Sequence, residues 1–66
     1  MYIKSITRGI LSVMLKYRGY HTTGRIARLA GISWNTAEKY LYRLERKGWI
    51  VRKQRRGDRI YWKAVR

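Results

Sequence analysis

The spacing of the apolar residues changes at Gly48. Before this glycine, apolar side chains recur every three or four residues, and after it they alternate with polar ones. A period near 3.6 is typical of a helix that buries one face, and a period of two is typical of a half-buried strand. The sequence therefore predicts an α+β fold that is mostly helical and ends in a two-stranded β-hairpin. Because the chain has only 66 residues, we assign 1–66 to a single domain.

The first predicted helix covers 5–18. Ser5 is placed to cap its N-terminus, and Gly19 follows it where a helix end favours a left-handed residue. Leu11 and Leu15 lie beside the apolar stripe and widen it, either as further core residues, which we favour, or as the seam of a dimer. The stripe itself contains Ile6, Ile10, Val13, Met14 and Tyr17.

Two more helices are predicted at 23–30 and 34–47, after a short extended connector at 20–22. Thr22 or Thr23 caps the second helix, and Ser33 caps the third. Gly31 interrupts the chain between them, and Gly48 closes the third helix. Two helices joined by so tight a turn form a helix-turn-helix.

The hairpin is predicted from strands at 49–56 and 59–65. A two-residue type II′ turn at Gly57 and Asp58 would join them. That turn sets Val51 opposite Ala64, Lys53 opposite Trp62, and Ile50 opposite Val65, with Val51, Ile60 and Trp62 directed toward the helices. A longer loop would shift this register and reverse the two faces.

The segment 23–44 has the pattern of two helices that cross closely. Ala27 is the small residue at the crossing, and Gly31 is a turn glycine that needs a positive φ. The apolar positions of this pattern are Ile26, Ala30, Ile32, Ala37, Tyr40, Leu41 and Leu44. In these residues, and in the stretch 40–50 that leads from the third helix into the hairpin, the chain resembles the winged helix-turn-helix proteins found among archaeal and bacterial transcriptional regulators. The resemblance implies a three-helix domain with a β-hairpin wing that binds duplex DNA.

The charge balance indicates a polyanionic partner. Seventeen Lys and Arg residues face three acids, for a formal net charge of +14. Such a chain repels itself, and nucleic acid is the polyanion that most readily offsets this repulsion. The alternative, a surface made basic only for solubility, fits less well because soluble surfaces usually mix both signs. No apolar run is long enough to span a membrane and no signal peptide is evident, so we expect a cytoplasmic protein.

Catalysis, cofactors and metals are not expected. The chain has no cysteine, and His21 is its single histidine. Zinc sites need several Cys or His ligands, and acid-base catalysis usually needs a histidine or paired carboxylates in one pocket. We therefore predict that the chain is not an enzyme.

The third helix presents an acid-free wedge opposite its apolar side. Within it, Asn35 and Lys39 are the candidates for base edges, since Asn pairs with adenine and Lys with guanine. Trp34 either stacks on the DNA or covers the core. Phosphate contacts are predicted for Thr36, Arg43 and Arg46, and for Thr23 and Arg25 at the start of the second helix. The complete predicted interface is Thr23, Arg25, Ser33, Trp34, Asn35, Thr36, Lys39, Tyr42, Arg43, Arg46, Lys53, Arg55, Arg56 and Arg59.

The last four of these residues belong to the wing. An arginine there can enter the minor groove and respond to its width. Cations on an edge strand also prevent aggregation, and the two roles are compatible. Four cations around one turn exceed what edge protection requires, so we favour contact with the DNA.

Three functions compete at this stage. The first is a sequence-specific transcriptional regulator that binds double-stranded DNA, with a homodimer through helix 1 or an edge strand reading two half-sites. The second is an architectural or RNA-binding module without strong sequence preference inside a larger assembly. The third and weakest is a winged helix that only binds other proteins.

Overall fold

The computed structural model describes residues 3–54 and 59–65. Its elements follow in the order α1 (Ile3–Lys16), β1 (His21–Thr22), α2 (Thr23–Ala30), α3 (Trp34–Arg46), β2 (Ile50–Gln54) and β3 (Ile60–Ala64). The three helices and the C-terminal hairpin confirm the predicted winged helix-turn-helix architecture. Within the described ranges, no helix is both long and apolar enough to cross a membrane.

Helix α1 begins and ends two residues before the predicted positions. Ser5 lies inside it, so the prediction that Ser5 caps the helix is wrong. Ile10 and Met14 are fully buried against the rest of the fold. Leu15 and Tyr17 are 47% and 39% exposed, so their assignment to the core is also wrong. The other elements cover only one side of α1, and the stripe of the sequence is wider than that side.

Helices α2 and α3 have the predicted caps and turn. The Thr22 hydroxyl accepts a hydrogen bond from the Arg25 amide, and the Ser33 hydroxyl accepts one from the Thr36 amide, each at 3.2 Å. Gly31 has φ of +71°, a left-handed conformation that glycine adopts without steric cost. These contacts satisfy amides that have no partner within the helices and set the orientation of α3 relative to α2.

The core joins all three helices to the sheet. Ala27 and Ala37 are buried, and such small side chains allow two helices to approach closely. Trp62 is fully buried, and its indole N–H donates to the Thr23 hydroxyl at 2.8 Å. The buried core residues are Ile10, Met14, Ile26, Ala27, Ala37, Tyr40, Leu41, Leu44, Ile50, Trp62 and Ala64.

The hairpin forms with a register one residue away from the predicted one. Ile50 lies opposite Ala64, and Arg52 lies opposite Trp62. Strand β3 has the predicted inward face, with Trp62 buried and Ile60 partly buried against the core. Strand β2 buries the opposite face from the one predicted, because Ile50 enters the core and Val51 points outward. The predicted turn at 57–58 lies outside the described residues.

The sheet has a third strand that the sequence did not indicate. The connector at 20–22 is extended as expected, but His21 and Thr22 also pair with Trp62 and Tyr61, giving the strand order β1-β3-β2. Two residues are too few to show an alternating pattern. The pairing places the start of α2 directly beside the wing.

Candidate nucleic-acid interface

Helix α3 presents four exposed polar and basic side chains on one arc. Asn35, Lys39, Arg43 and Arg46 are all exposed, and they lie opposite the buried face of the helix. We call these four residues the α3 arc. The Arg43 guanidinium lies 5.3 Å from the centre of the Tyr40 ring, which orients this cation on the surface. The structure therefore brings together the predicted base-reading pair and two predicted phosphate contacts.

Tyr42 does not belong to this arc. Its ring packs edge-on against Trp62 with centroids 5.2 Å apart, and its hydroxyl accepts a hydrogen bond from Arg52 at 3.3 Å. Arg52 also pairs with Glu45 at 3.2 Å. The sheet packs against this side of α3, so the prediction that Tyr42 faces the nucleic acid is wrong.

The start of α2 contributes Arg25 but not the side chain of Thr23. The Thr23 hydroxyl is buried and accepts the hydrogen bond from Trp62, so its predicted contact with a phosphate is wrong. Arg25 is exposed. This difference between Thr23 and Arg25 could not be predicted from the sequence, because the partner of Thr23 lies on a strand far along the chain.

A groove of about 490 Å³ separates α2 and α3 from the wing. Three arginines line it, one from α2's first turn (Arg25), one from its last turn (Arg28) and one from the start of the wing's second strand (Arg59). Glu38 is the acid among its lining residues. We call this feature the arginine groove. Its other lining residues are Thr22, Thr23, Gly24, Trp34 and Ile60.

Arg28 was missed by the sequence analysis. It lies three residues after Arg25, and residues three apart are neighbours on one face of a helix. That spacing was available in the sequence and would have identified it.

Trp34 forms a wall of the arginine groove rather than a cover for the core. It is half exposed, and a Cβ built on Gly24 would lie 3.8 Å from its Cδ1 atom. The ring thus packs beside the α2 backbone while one part of it stays open to solvent. An open indole beside arginines is suited to contact with a sugar or a base.

Ser33 and Thr36 lie at the N-terminus of α3. Their hydroxyls are hydrogen bonded to each other at 2.8 Å, and the Ser33 hydroxyl also accepts the Thr36 amide. Ser33 is exposed and Thr36 is half-buried. Their first role is to cap the helix, and any contact with a phosphate would be added to it.

The two described wing residues of the prediction, Lys53 and Arg59, lie in different surroundings. Lys53 pairs with Tyr61 rather than with Trp62, so its predicted register is wrong, and its ammonium lies 5.6 Å from the centre of the Tyr20 ring on the face turned away from α3. A shift of one residue in register exchanges the two faces of a strand. Arg59 is exposed and reaches the arginine groove. Arg55 and Arg56 lie outside the described residues.

Histidine and carboxylate side chains do not cluster in the described part of the chain. His21 is buried, and its ring bonds the Tyr17 carbonyl. Glu45 pairs with Arg52, and Glu38 lines the arginine groove. Across 3–54 and 59–65, no three His, Cys, Asp or Glu side chains come close enough to hold a metal ion.

Comparison with solved structures identifies the same fold in other proteins. The Zalpha domain of Carassius auratus PKZ, solved in complex with Z-DNA, superposes with a TM-score of 0.83 at 19% identity, covering 94% of this chain and 95% of that one. ZitR, a zinc-responsive MarR family member from Lactococcus lactis, superposes with a TM-score of 0.77 at 22% identity, covering 98% of this chain and 45% of the ZitR chain. NadR, in complex with 4-hydroxyphenylacetate, superposes with a TM-score of 0.68 at 26% identity, covering 89% of this chain and 42% of the NadR chain.

The chain therefore spans nearly all of the Zalpha domain but less than half of the ZitR and NadR chains. Among proteins of curated function, none shows significant sequence similarity to it. The sequence pattern of the FaeA-like protein family, in contrast, matches residues 2–66. Because this match covers almost the whole chain, the protein belongs to the FaeA-like family.

Proposed function

We propose that this protein is a small DNA-binding transcriptional regulator that inserts α3 into the major groove of duplex DNA. The observation that carries the proposal is the α3 arc, an exposed stretch of one amide and three cations without an acid. A helix in the major groove reads bases from its N-terminal half and holds the backbone with its flanking residues. The order of residues along the arc follows this division.

Asn35 and Lys39 read base edges in this arrangement. They lie one turn apart on the exposed side of α3, near its N-terminus. An asparagine amide can pair with both N6 and N7 of adenine, and a lysine ammonium can donate to O6 or N7 of guanine. Both side chains are exposed, so neither must break a contact in the protein to do so.

Phosphates are held on both sides of this pair. Arg43 and Arg46 continue along the arc, while Arg25, Arg28 and Arg59 form the arginine groove, into which the wing and α2 direct their charge. Trp34 packs against a sugar or base at the edge of that groove, and the capping residues Ser33 and Thr36 lie near the same backbone. Arg55 and Arg56 at the wing tip add contacts to the backbone or minor groove.

The comparisons support this proposal. The structure of the Carassius auratus domain contains Z-DNA, and the Lactococcus lactis protein is a zinc-responsive member of the MarR family. Both share the fold of this chain. Because these proteins are only distantly related in sequence, the DNA-binding residues proposed here depend on the geometry of this chain.

The test combines selection of bound duplexes with measurements at several salt concentrations. Each phosphate contact contributes about −0.9 to the slope of log affinity against log salt concentration. We therefore expect a slope of roughly −4 to −5 if five arginines contact phosphates. These are Arg25, Arg28, Arg43, Arg46 and Arg59. Changing Asn35 and Lys39 to Ala should reduce affinity for the selected duplex by about tenfold or more, with a much smaller loss on random duplex. Arg43→Ala should weaken both duplexes alike.

Arg8→Ala is the matched control. Arg8 is exposed on the side of α1 away from its buried residues, so it removes one positive charge outside the proposed interface. If Arg8→Ala costs as much affinity as Lys39→Ala, binding follows net charge and the proposed interface is refuted. If the Asn35 and Lys39 variants lose affinity equally on selected and random duplex, the alternative function holds, an architectural or RNA-binding module without strong sequence preference.

The mode of assembly belongs to the same proposal. Two copies on half-sites about one helical turn apart would increase specificity. Of the two predicted seams, helix 1 and an edge strand, we favour β2, because an edge strand has backbone groups that a second copy can pair with. We also propose that the protein acts in the cytoplasm, where it meets its DNA, and that it has no catalytic role. Sedimentation on duplexes with one and two half-sites tests the dimer.

A further inference from the structure

A small apolar cavity opens where α1 meets the base of the hairpin. It has a volume of about 200 Å³ and is lined by Leu11, Leu15, Trp49 and Ala64. Leu15 is 47% exposed and Trp49 is 39% exposed, although both are large apolar side chains. Among the residues that the structure describes, its lining side chains are aliphatic or aromatic. A cavity of this kind is suited to an apolar side chain from another molecule.

A second and more polar concavity adjoins the first on the outer face of the sheet. It shares Ala64 with the first and also includes the exposed side chains of Val51 and Val65. The Val65 amide donates to the Trp49 carbonyl at 3.2 Å, which holds the two parts together. We call the combined feature the hairpin-base surface. Large apolar side chains grouped on the surface are a common mark of a binding site.

Cations surround this surface. Arg18 and Lys63 line its second concavity. The ammonium groups of Lys53 and Lys63 lie 5.6 Å and 5.5 Å from the centre of the Tyr20 ring, at the same outer face. Among the described residues, neither concavity has an acid in its lining. The surface therefore fits a ligand that combines bulky apolar groups with negative charge.

We propose that the hairpin-base surface docks an acidic segment of a different protein, which inserts a leucine or aromatic side chain between Leu15 and Trp49 and places carboxylates on Lys63 and Arg18. A second copy of this chain fits poorly, because it has three acids against seventeen Lys and Arg and would bring cations against cations. DNA fits poorly as well, since phosphates gain nothing from the apolar cavity.

This inference goes beyond the proposed function, because the surface lies apart from the DNA-binding residues. Arg59 precedes the first residue of β3, whereas Ala64 ends it. At about 3.3 Å per residue, the five steps from Arg59 to Ala64 separate the arginine groove from the cavity by roughly 17 Å. A protein segment can therefore occupy one end of the hairpin while DNA occupies the other.

The test uses the full chain and a labelled peptide of about three helical turns, in which leucines follow pairs of glutamates. We expect saturable binding by fluorescence anisotropy, accompanied by chemical-shift changes at Leu15, Trp49 and Val65. Two control peptides carry lysines in place of the glutamates, or serines in place of the leucines. Neither should bind, because the first meets like charge and the second leaves the cavity empty.

Matched variants of the protein locate the site. Leu15→Ser and Lys63→Glu should each weaken peptide binding by about tenfold, which corresponds to about 1.4 kcal/mol. Leu29→Ser and Arg8→Glu change a leucine and a cation at exposed positions of α2 and α1, and they should leave peptide binding unchanged. None of the four residues is buried in the core, so all four variants should keep the circular dichroism spectrum of the original chain.

Several outcomes would overturn the proposal. One is that the acidic peptide fails to bind, and another is that the variants at Leu15 and Leu29 bind it equally well. Sedimentation that shows a dimer dissociated by Leu15→Ser would assign the surface to a second copy. Single-stranded RNA that competes with the peptide and loses affinity on Leu15→Ser would assign it to nucleic acid.

Discussion

Replacing Thr23 with Val tests the link between the wing and the helix-turn-helix. The Thr23 hydroxyl accepts the indole N–H of Trp62 at 2.8 Å, and both residues are buried. Valine has nearly the same shape but has no acceptor. The substitution therefore leaves a buried N–H without a partner and disturbs the packing very little.

The expected loss follows from this geometry. A buried donor that loses its partner costs about 1–3 kcal/mol. Domains are stable by about 0.05–0.15 kcal/mol per residue, which gives a chain of this size roughly 3–10 kcal/mol in total. The variant should therefore lose a large part of its free energy of unfolding. The free energy of unfolding of a small domain falls by about 1 kcal/mol for each molar increase in urea, so the urea concentration at the unfolding midpoint should fall by about 1–3 M.

Urea titration followed by tryptophan fluorescence measures the shift, and hydrogen exchange of the Trp62 indole N–H reports on the bond directly. Thr23→Ser is the matched control, because it keeps the hydroxyl and removes only a methyl group worth about 0.8 kcal/mol. If Thr23→Val unfolds at the same urea concentration as the original chain, or if Thr23→Ser loses as much stability, the hydrogen bond does not contribute as argued.

Three further predictions concern the caps, the turn and a surface ion pair. Gly31→Ala should lower the free energy of unfolding by about 1–2 kcal/mol, because φ is +71° at this position. Gly9→Ala inside α1 should raise the free energy of unfolding by about 0.5–1 kcal/mol, because glycine is unfavourable within a helix. Calorimetry that gives both variants a change of the same sign would contradict this prediction. Ser33→Ala removes the cap of α3 and should cost about 0.5–2 kcal/mol, measured by urea titration, and no loss would mean that the amides of α3 find other partners. A double-mutant cycle on the half-exposed pair of Arg52 and Glu45 should give an interaction energy of less than about 1 kcal/mol, and a still smaller one at high salt. A larger interaction energy would contradict the surface character of this pair.

Much of the local structure could be predicted from the sequence. Thr22, Gly31 and Ser33 each act on their own neighbours within a few residues, so their roles as caps and turn were visible in the chain. The exposed positions of Asn35, Lys39 and Arg43 also followed from helical periodicity, since the inward face of α3 was clear from Ala37 and Leu41.

The errors at the candidate site concern residues whose surroundings come from elsewhere in the chain. Thr23 was assigned to a phosphate, but Trp62 of β3 takes its hydroxyl. Tyr42 was placed on the exposed wedge, but the sheet covers that side of α3. Lys53 changed faces with the register of the hairpin. In each case the residue type was suited to the predicted role, and packing decided otherwise.

The three helices, the turn at Gly31, the hairpin and the excess of positive charge follow from local conformation and composition, and so they can be predicted from the sequence alone. Long-range packing is needed to bring β1 into the sheet, to bury Ile50 rather than Val51, and to line one groove with Arg25, Arg28 and Arg59. The inward face of a strand depends on the surface against which the strand packs. A shift of one residue keeps the alternating pattern but exchanges the buried and exposed sides.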